Sequence, residues 1–237
     1  VMLRQFLEER YKGTRPVLIH GQFLREDQLD RFKALGVIPS LFPMHTFYWG
    51  DWHLDHTVGP QAGLNISPTG WVRKRGMIFS SHHDAPVAFP DSMRVLDATV
   101  TRRARGSGRI VGPEHRVDVI TALKAMTIWP AYHHFEEKTK GSLEPGKLAD
   151  FAILSKDPTA VAPNAIAEIK VTETVKEGKT IFKLDPATHA DNARVDITPL
   201  LAAFGGHGGQ GGEPGDTCAH DAMFRMTAVM AGSAEGR

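Results

Sequence analysis

Residues 16–42 read PVLIHGQFLREDQLDRFKALGVIPSLF, and two apolar runs with a charged stretch between them decide the fold. Pro16 to His20 is a short apolar run ending in a polar residue, the pattern of a strand buried in a parallel sheet. Residues 26–35 set Leu29, Phe32 and Leu35 at three-to-four spacing among charged residues, which predicts an amphipathic helix. Gly36 stops it. Val37 to Phe42 repeats the strand pattern. Strand, helix, strand is a βαβ unit, so the chain belongs to the α/β class.

Working outward, residues 43–58 are rich in histidine and aromatic residues and predict a long connection, which in a compact domain tends to be functional. Residues 60–75 predict helical turns. Met77 to Ser81 is a third strand, ending in His82, His83 and Asp84. Helices follow over 91–104 and 117–135, the second with Val119, Leu123, Met126 and Thr127 on one face. After Lys140 the pattern changes: Gly141 to Gly146 is turn chemistry, Phe151 to Leu154 a strand, and Ile166 to Phe182 a hairpin around Glu177-Gly178. The expected organisation is an α/β part over 1–140, a β unit over 141–184, and a linker and tail over 185–237. Residues 205–215 hold seven glycines and predict a flexible linker. Residues 4–12 read as a helix end and 221–231 as an amphipathic helix.

Twenty-eight basic and 27 acidic side chains leave a net charge of +1, which gives no electrostatic reason to expect nucleic acid or an anionic membrane as partner. The cluster Arg102, Arg103, Arg105 and Arg109 reads as a solvated helix end. Cys218 is the single cysteine, excluding an intramolecular disulfide or an all-cysteine metal site. No run approaches the roughly 20 apolar residues of a membrane span. Val1 to Gln5 carries no signal-peptide pattern, and the compartment stays open.

In a parallel α/β sheet the carboxyl ends of all strands converge on one rim, so His20 and Asp84 are expected to meet there despite their separation in sequence. An imidazole and a carboxylate at such a rim suit Zn²⁺ or a similar divalent ion. The metal lowers the pKa of bound water to about 7, and the carboxylate takes the proton as that water attacks. Plainer readings exist for each residue. His20 alone is also a hydrogen-bonded strand-end histidine, and Asp84 before Ala85-Pro86 is also a turn residue. His82 and His83 are adjacent on a strand, so one of them faces the site. His133 and His134 suit a helix C-terminus, and His53 with His56 makes a weak metal pair.

Residues 141–154, GSLEPGKLADFAIL, resemble the passage that follows the barrel in amidohydrolases. Ile19-His20-Gly21-Gln22 is similar to the sixth-strand segment of the amidohydrolase family 3 branch. Gly36 to His45, Ser81 to Val87, Ala98 to Arg102 and Ala122 to Thr127 resemble further segments of that branch in the same order, covering about residues 15–184. The resemblance implies a (β/α)8 metal-dependent hydrolase barrel of the TIM type, here its C-terminal part with strands six to eight, plus part of the accessory β-sandwich. It implies hydrolysis of C–N bonds of the amide type in a small-molecule substrate, with His20 as metal ligand and Asp84 as ligand and general base. It also implies His45 as a substrate contact and Arg102 as the partner of a carboxylate, of the substrate or of the structure; His83 is a further candidate substrate contact or ligand by its place at the strand end.

Two residues depart from the family pattern: Ile19 stands in place of a glutamate, and His82-His83 in place of Gly-Ser. The second change brings an imidazole to the mouth of the site. No His-X-His pair occurs, and the upstream strands that carry the family's other ligands have no counterpart. The chain is therefore expected to be a C-terminal fragment, a piece of a split polypeptide or a truncated reading, in need of the missing N-terminal part. Two ligands on an unclosed rim should hold metal weakly, and apolar faces at Leu18, Ile38 and Ile78 should stay partly uncovered and favour association. The rival readings are a non-catalytic binding or regulatory protein on the same scaffold, and an unrelated α/β binding domain.

Overall fold

The computed structural model describes residues 13–185. The expected helix end at 4–12, the glycine-rich linker, the 221–231 helix and Cys218 lie outside the described residues.

Three strands, β1 (Val17–His20), β2 (Ile38–Leu41) and β3 (Ser80–Ser81), form a parallel sheet in that order. Val17 pairs with Ile38 and His20 with Leu41, while Leu41 pairs on its other side with Ser81. Of the run expected over 77–81, only Ser80–Ser81 pairs as a strand, and the His82 amide extends the ladder by donating to the Leu41 carbonyl at 3.2 Å. Helix α1 (Glu26–Leu35) crosses from β1 to β2. It starts where the Arg25 amide donates to Gln28 Oε1 at 3.0 Å, and ends at Gly36, whose φ of 68° only glycine adopts without strain. Leu29 of α1 is fully buried with Leu24, Leu41, Val72, Phe79 and Ala125. Leu35 is largely exposed, so the buried stripe is narrower than the spacing suggests.

Residues 43–58 are helical rather than a loop: α2 (Met44–Trp52) runs into a single π-turn at His53–Thr57. Apolar and aromatic residues are spread right round the α2 axis, so the segment has no amphipathic period to read. Phe47, Tyr48 and Trp49 pack with Phe42, Met44, Val95 and Ala98. Gly50 is needed where α2 meets the 102–112 loop, because a Cβ there would lie 2.9 Å from Val111 Cγ2. Short helices α3 (Gly59–Gly63) and α4 (Thr69–Lys74) follow. Helix α5 (Ser92–Thr101) is capped by Asp91, whose carboxylate accepts from the Arg94 amide at 3.0 Å.

The helix expected over 117–135 is two, α6 (Val119–Met126), capped by Asp118, and α7 (Ile128–His133). Pro130 has no amide to give the carbonyl four residues back and crowds it, which breaks the helix near Thr127. The β unit is an antiparallel sheet of β4 (Phe151–Leu154), β5 (Val171–Lys176) and β6 (Lys179–Lys183). Its hairpin turns at Glu177 and Gly178, with φ of 50° and 75°, the paired positive values of a two-residue type I′ turn. On the open edge of the parallel sheet Ile19 is 62% exposed, whereas Ile38, expected to be partly uncovered, is buried.

Arg102 is the largest fully buried side chain. It closes α5 with a φ of 54°, and its guanidinium donates to three backbone carbonyls: Val111 at 2.6 Å, Ser67 at 3.1 Å and Ile66 at 2.5 Å. Burial pushes its pKa down to about 9. A substrate carboxylate cannot reach a group so enclosed, and the expected binding role for Arg102 is corrected: it ties two loops to the end of α5. Arg109, expected to be a solvated helix-end residue, instead pairs with Asp51 and Asp55.

Replacing Arg102 by Met should leave three buried carbonyls unpaired at about 1–3 kcal/mol each. Unfolding by denaturant should show a loss of at least ~3 kcal/mol or no soluble protein, and Arg102→Lys, with one compact ammonium, should not restore it. A second expectation concerns His115, fully buried with Nε2 3.0 Å from Asn65 Oδ1 and Nδ1 without a partner. Burial, followed by the Arg102 charge, lowers its pKa from 6.5 to about 3. The unfolded chain takes up a proton near pH 6.5 and the folded chain near pH 3, so this contribution is complete above 6.5 and declines as the pH falls towards 3. Stability measured across that window should drop by roughly 1 kcal/mol per pH unit from this group, and His115→Asn should flatten the slope.

Candidate metal centre

The register of the parallel sheet assembles the site. His20 ends β1 beside Leu41, and His82 follows β3 on the other flank of the same residue. The Phe42 ring, just past β2, packs beside both imidazoles: His82 stacks on it at 4.9 Å between centroids and 25° between planes, and His20 lies 6.1 Å away. His20 and His82 are 5.1 Å apart. The chain leaves β1 through consecutive positive φ values, 69° at His20 and 51° at Gly21. Asp84 also has a positive φ, 56°, and its carbonyl accepts from the Val87 amide at 2.7 Å. Left-handed backbone at two non-glycine residues is costly, and such strain gathers at functional sites.

His20 Nε2 and Asp84 Oδ2 are 3.9 Å apart, with both side chains partly exposed. His82 joins them: one ligand atom from each of His20, His82 and Asp84 lies within 4.8 Å of the others. His82 Nε2 is buried and has no hydrogen-bond partner. Burial lowers the His82 pKa, and the neighbouring His20 lowers it further, against the opposite pull of Asp84 and of a hydrogen bond to the Ser40 backbone. The net shift favours the neutral ring, the form that ligates a metal. Two imidazoles, one with an orphaned buried nitrogen, and a carboxylate fit a divalent ion. His83 is not part of this ligand group, and its Nδ1 accepts from the Ala85 amide at 3.1 Å.

His45 lies at the back of the site, edge-on to Phe42 at 4.6 Å and against Trp49 at 4.6 Å. Its Nδ1 is 3.1 Å from His53 Nε2, and His53 Nδ1 is 2.9 Å from Thr57 Oγ1. With the Thr57 hydroxyl donating to the His53 carbonyl at 3.3 Å, its oxygen is left to accept from His53 Nδ1. His53 Nε2 then accepts from His45 Nδ1, and His45 Nε2 keeps its lone pair. Burial, with His53, His20 and His82 adding to it, pushes the His45 pKa down to about 3. His56 stacks on Trp52 and stands apart from the group. His53 was legible only once 44–57 is known to be helical. His82 had a signal in being one of two adjacent histidines past a strand, of which one faces the site.

A nitrogen-15 spectrum should show His45 neutral and protonated on Nδ1 down to about pH 4, and Thr57→Val should mix its tautomers by removing the hydroxyl that orders the relay.

A protein-family model described as the amidohydrolase family matches residues 2–182. YtcJ of Bacillus subtilis, named as an amidohydrolase, is 25% identical over 179 residues, which cover 72% of this chain and 32% of YtcJ. The N-substituted formamide deformylase of Arthrobacter pascens is 26% identical over 165 residues, covering 68% of this chain and 30% of that enzyme. An uncharacterized metal-dependent hydrolase of Pyrococcus horikoshii superposes with a TM-score of 0.57 at 25% identity, over 68% of this chain and 32% of its own. The chain thus spans about a third of the length of each of these relatives.

Proposed function

The chain belongs to the amidohydrolase family, and on that premise we propose that it forms the C-terminal part of a (β/α)8 metal-dependent hydrolase that cleaves C–N bonds of the amide type. The carrying observation is the 3.9 Å approach of His20 and Asp84 at the carboxyl ends of two strands flanking one parallel neighbour. Residues 13–140 correspond in this reading to the sixth to eighth βα units, and residues 141–184 to part of an accessory β-sandwich.

His20 and Asp84 would hold the ion, which we take to be Zn²⁺, and a divalent ion there would supply a neighbouring water with a pKa lowered to about 7. The remaining steps fall to this chain's side chains. Asp84, on an exposed turn at the rim, accepts the proton of the attacking water and returns it to the departing nitrogen. Phe42 and Trp49 form an apolar wall that limits water behind the reacting groups, and His45 offers Nε2 as an acceptor for a substrate N–H or O–H. His83, at the mouth, is the nearer contact for the outer part of a substrate. The strands upstream in the relatives complete the barrel, so turnover requires a polypeptide that supplies them.

Hydrolysis of a panel of N-acyl and N-formyl compounds tests this. The chain joined to or mixed with an upstream barrel half should turn over at least one of them, lose activity to a chelator and regain it with Zn²⁺. Asp84→Asn should lower kcat by ~10³-fold or more, a larger loss than the ~10²–10⁴ range of a general base alone would require at its low end. Activity that survives Asp84→Asn would refute the role of this rim.

A further inference from the structure

We infer that His82 is a third protein ligand, so that His20, His82 and Asp84 make a three-ligand divalent-metal site from this chain alone. The inference rests on the proposed metal-dependent reading and adds to it a residue at which the sequence departs from the family pattern.

Three independent observations support it. The first is placement: the His82 amide continues the β3 ladder onto Leu41, which puts the ring at the rim across from His20, with centroids 5.1 Å apart. The second is the unpartnered Nε2. A buried ring nitrogen without a hydrogen bond costs about 1–3 kcal/mol, and native structures rarely leave one in place without a reason. The third is rigidity. Stacking on the fully buried Phe42 restrains the ring plane, and a restrained side chain loses less entropy on binding an ion. His83 offers no free lone pair in this arrangement, because its Nδ1 accepts from the Ala85 amide and the neutral ring then carries its proton on Nε2.

The distances suit the assignment. Ligand atoms at 2.0–2.1 Å from a tetrahedral ion sit roughly 3.3 Å from each other, and the atoms here lie within 4.8 Å, His20 and Asp84 at 3.9 Å. Closing that gap takes about an ångström, available to His20 and Asp84 because both side chains are partly exposed. Three protein ligands with one open position is the arrangement of catalytic rather than structural zinc sites. The exposed sides of His20 and Asp84 leave that fourth position facing solvent.

The 237-residue chain, stripped of metal, is titrated with Co²⁺ and Zn²⁺ and followed by calorimetry and by the cobalt absorption spectrum. The expected result is one ion per chain, with affinity lowered at least ~100-fold in His20→Gln, Asp84→Asn and His82→Gln, and changed less than twofold in His83→Gln; losing even an outer-shell partner costs 10–100-fold. His82→Phe keeps a ring against Phe42 and supplies no nitrogen, so an equal loss in that variant assigns the effect to ligation and not to packing. His82→Cys should bind Co²⁺ with a new thiolate-to-cobalt charge-transfer band, absent from His83→Cys and from the parent with its own Cys218. If His82→Gln and His82→Phe bind as tightly as the parent while His20→Gln and Asp84→Asn fail, the third ligand is refuted and the metal-dependent reading stands. If the parent binds no ion, that reading fails for this rim and the inference with it.

Discussion

Leu41 accepts parallel partners on both sides, His20 from β1 and Ser81 from β3, and the rim follows from that register. Side chains alternate along a strand, so a slip of one residue in either pairing would turn His20 or His82 to the opposite face. What holds the register is the burial of Leu41 against Leu29 and Phe79, and of Phe42 against the second cluster with Met44 and Val95. A Ser80–Ser40 hydrogen bond of 2.8 Å adds a polar pin within the sheet, worth more there than on the surface because a mismatched register would strand both hydroxyls. The same β2 residues thus supply the core and the floor of the site.

A second constraint keeps that floor in place from below the rim. Helix α5 packs its buried face between the cluster of Phe42 and the cluster of Ile166, and its last residues must join loops whose carbonyls point inward. Carbonyl groups of Ile66, Ser67 and Val111 converge on one point, and a planar five-donor guanidinium satisfies all three where no neutral side chain could. The buried charge is tolerated because three dipoles face it, even though burial drives its pKa down. An arginine in a row of arginines reads from sequence as solvated, and nothing in the local pattern distinguishes the one that turns inward.

What was legible follows the same division between local and non-local physics. The βαβ unit at 16–42, the turn at Glu177-Gly178 and the meeting of His20 with Asp84 all rest on periodicity, turn chemistry and the parallel-sheet rule, and the structure has each of them. Helix α2 was illegible because its surroundings bury it on several sides and erase the amphipathic signal. The break between α6 and α7 was legible in principle from Pro130, and the apolar face over 119–127 outweighed it in the reading. Arg102 and the His45–His53–Thr57 relay depend on contacts across the fold, and no spacing rule encodes these.

The rim carries more imidazole than His20 and Asp84 require, and that excess bears on what the chain does with a metal. His20, His82 and His45 lie around Phe42 with His53 behind His45 in one contiguous group, and burial, aided by the neighbouring imidazoles, lowers the pKa of its inner members. Neutral rings cost less to bury than charged ones, yet each still needs partners for two nitrogens. The relay through Thr57 satisfies His53 and one side of His45, and Ser40 serves one side of His82. Among the nitrogens of this group His82 Nε2 is the one that is buried without a partner, and His82 is the ring within ligand reach of both His20 and Asp84. A packing role explains the ring on Phe42 equally well for phenylalanine. It does not explain an unpaired nitrogen held in a rigid ring beside a carboxylate and a second imidazole, whereas ligation of a cation does.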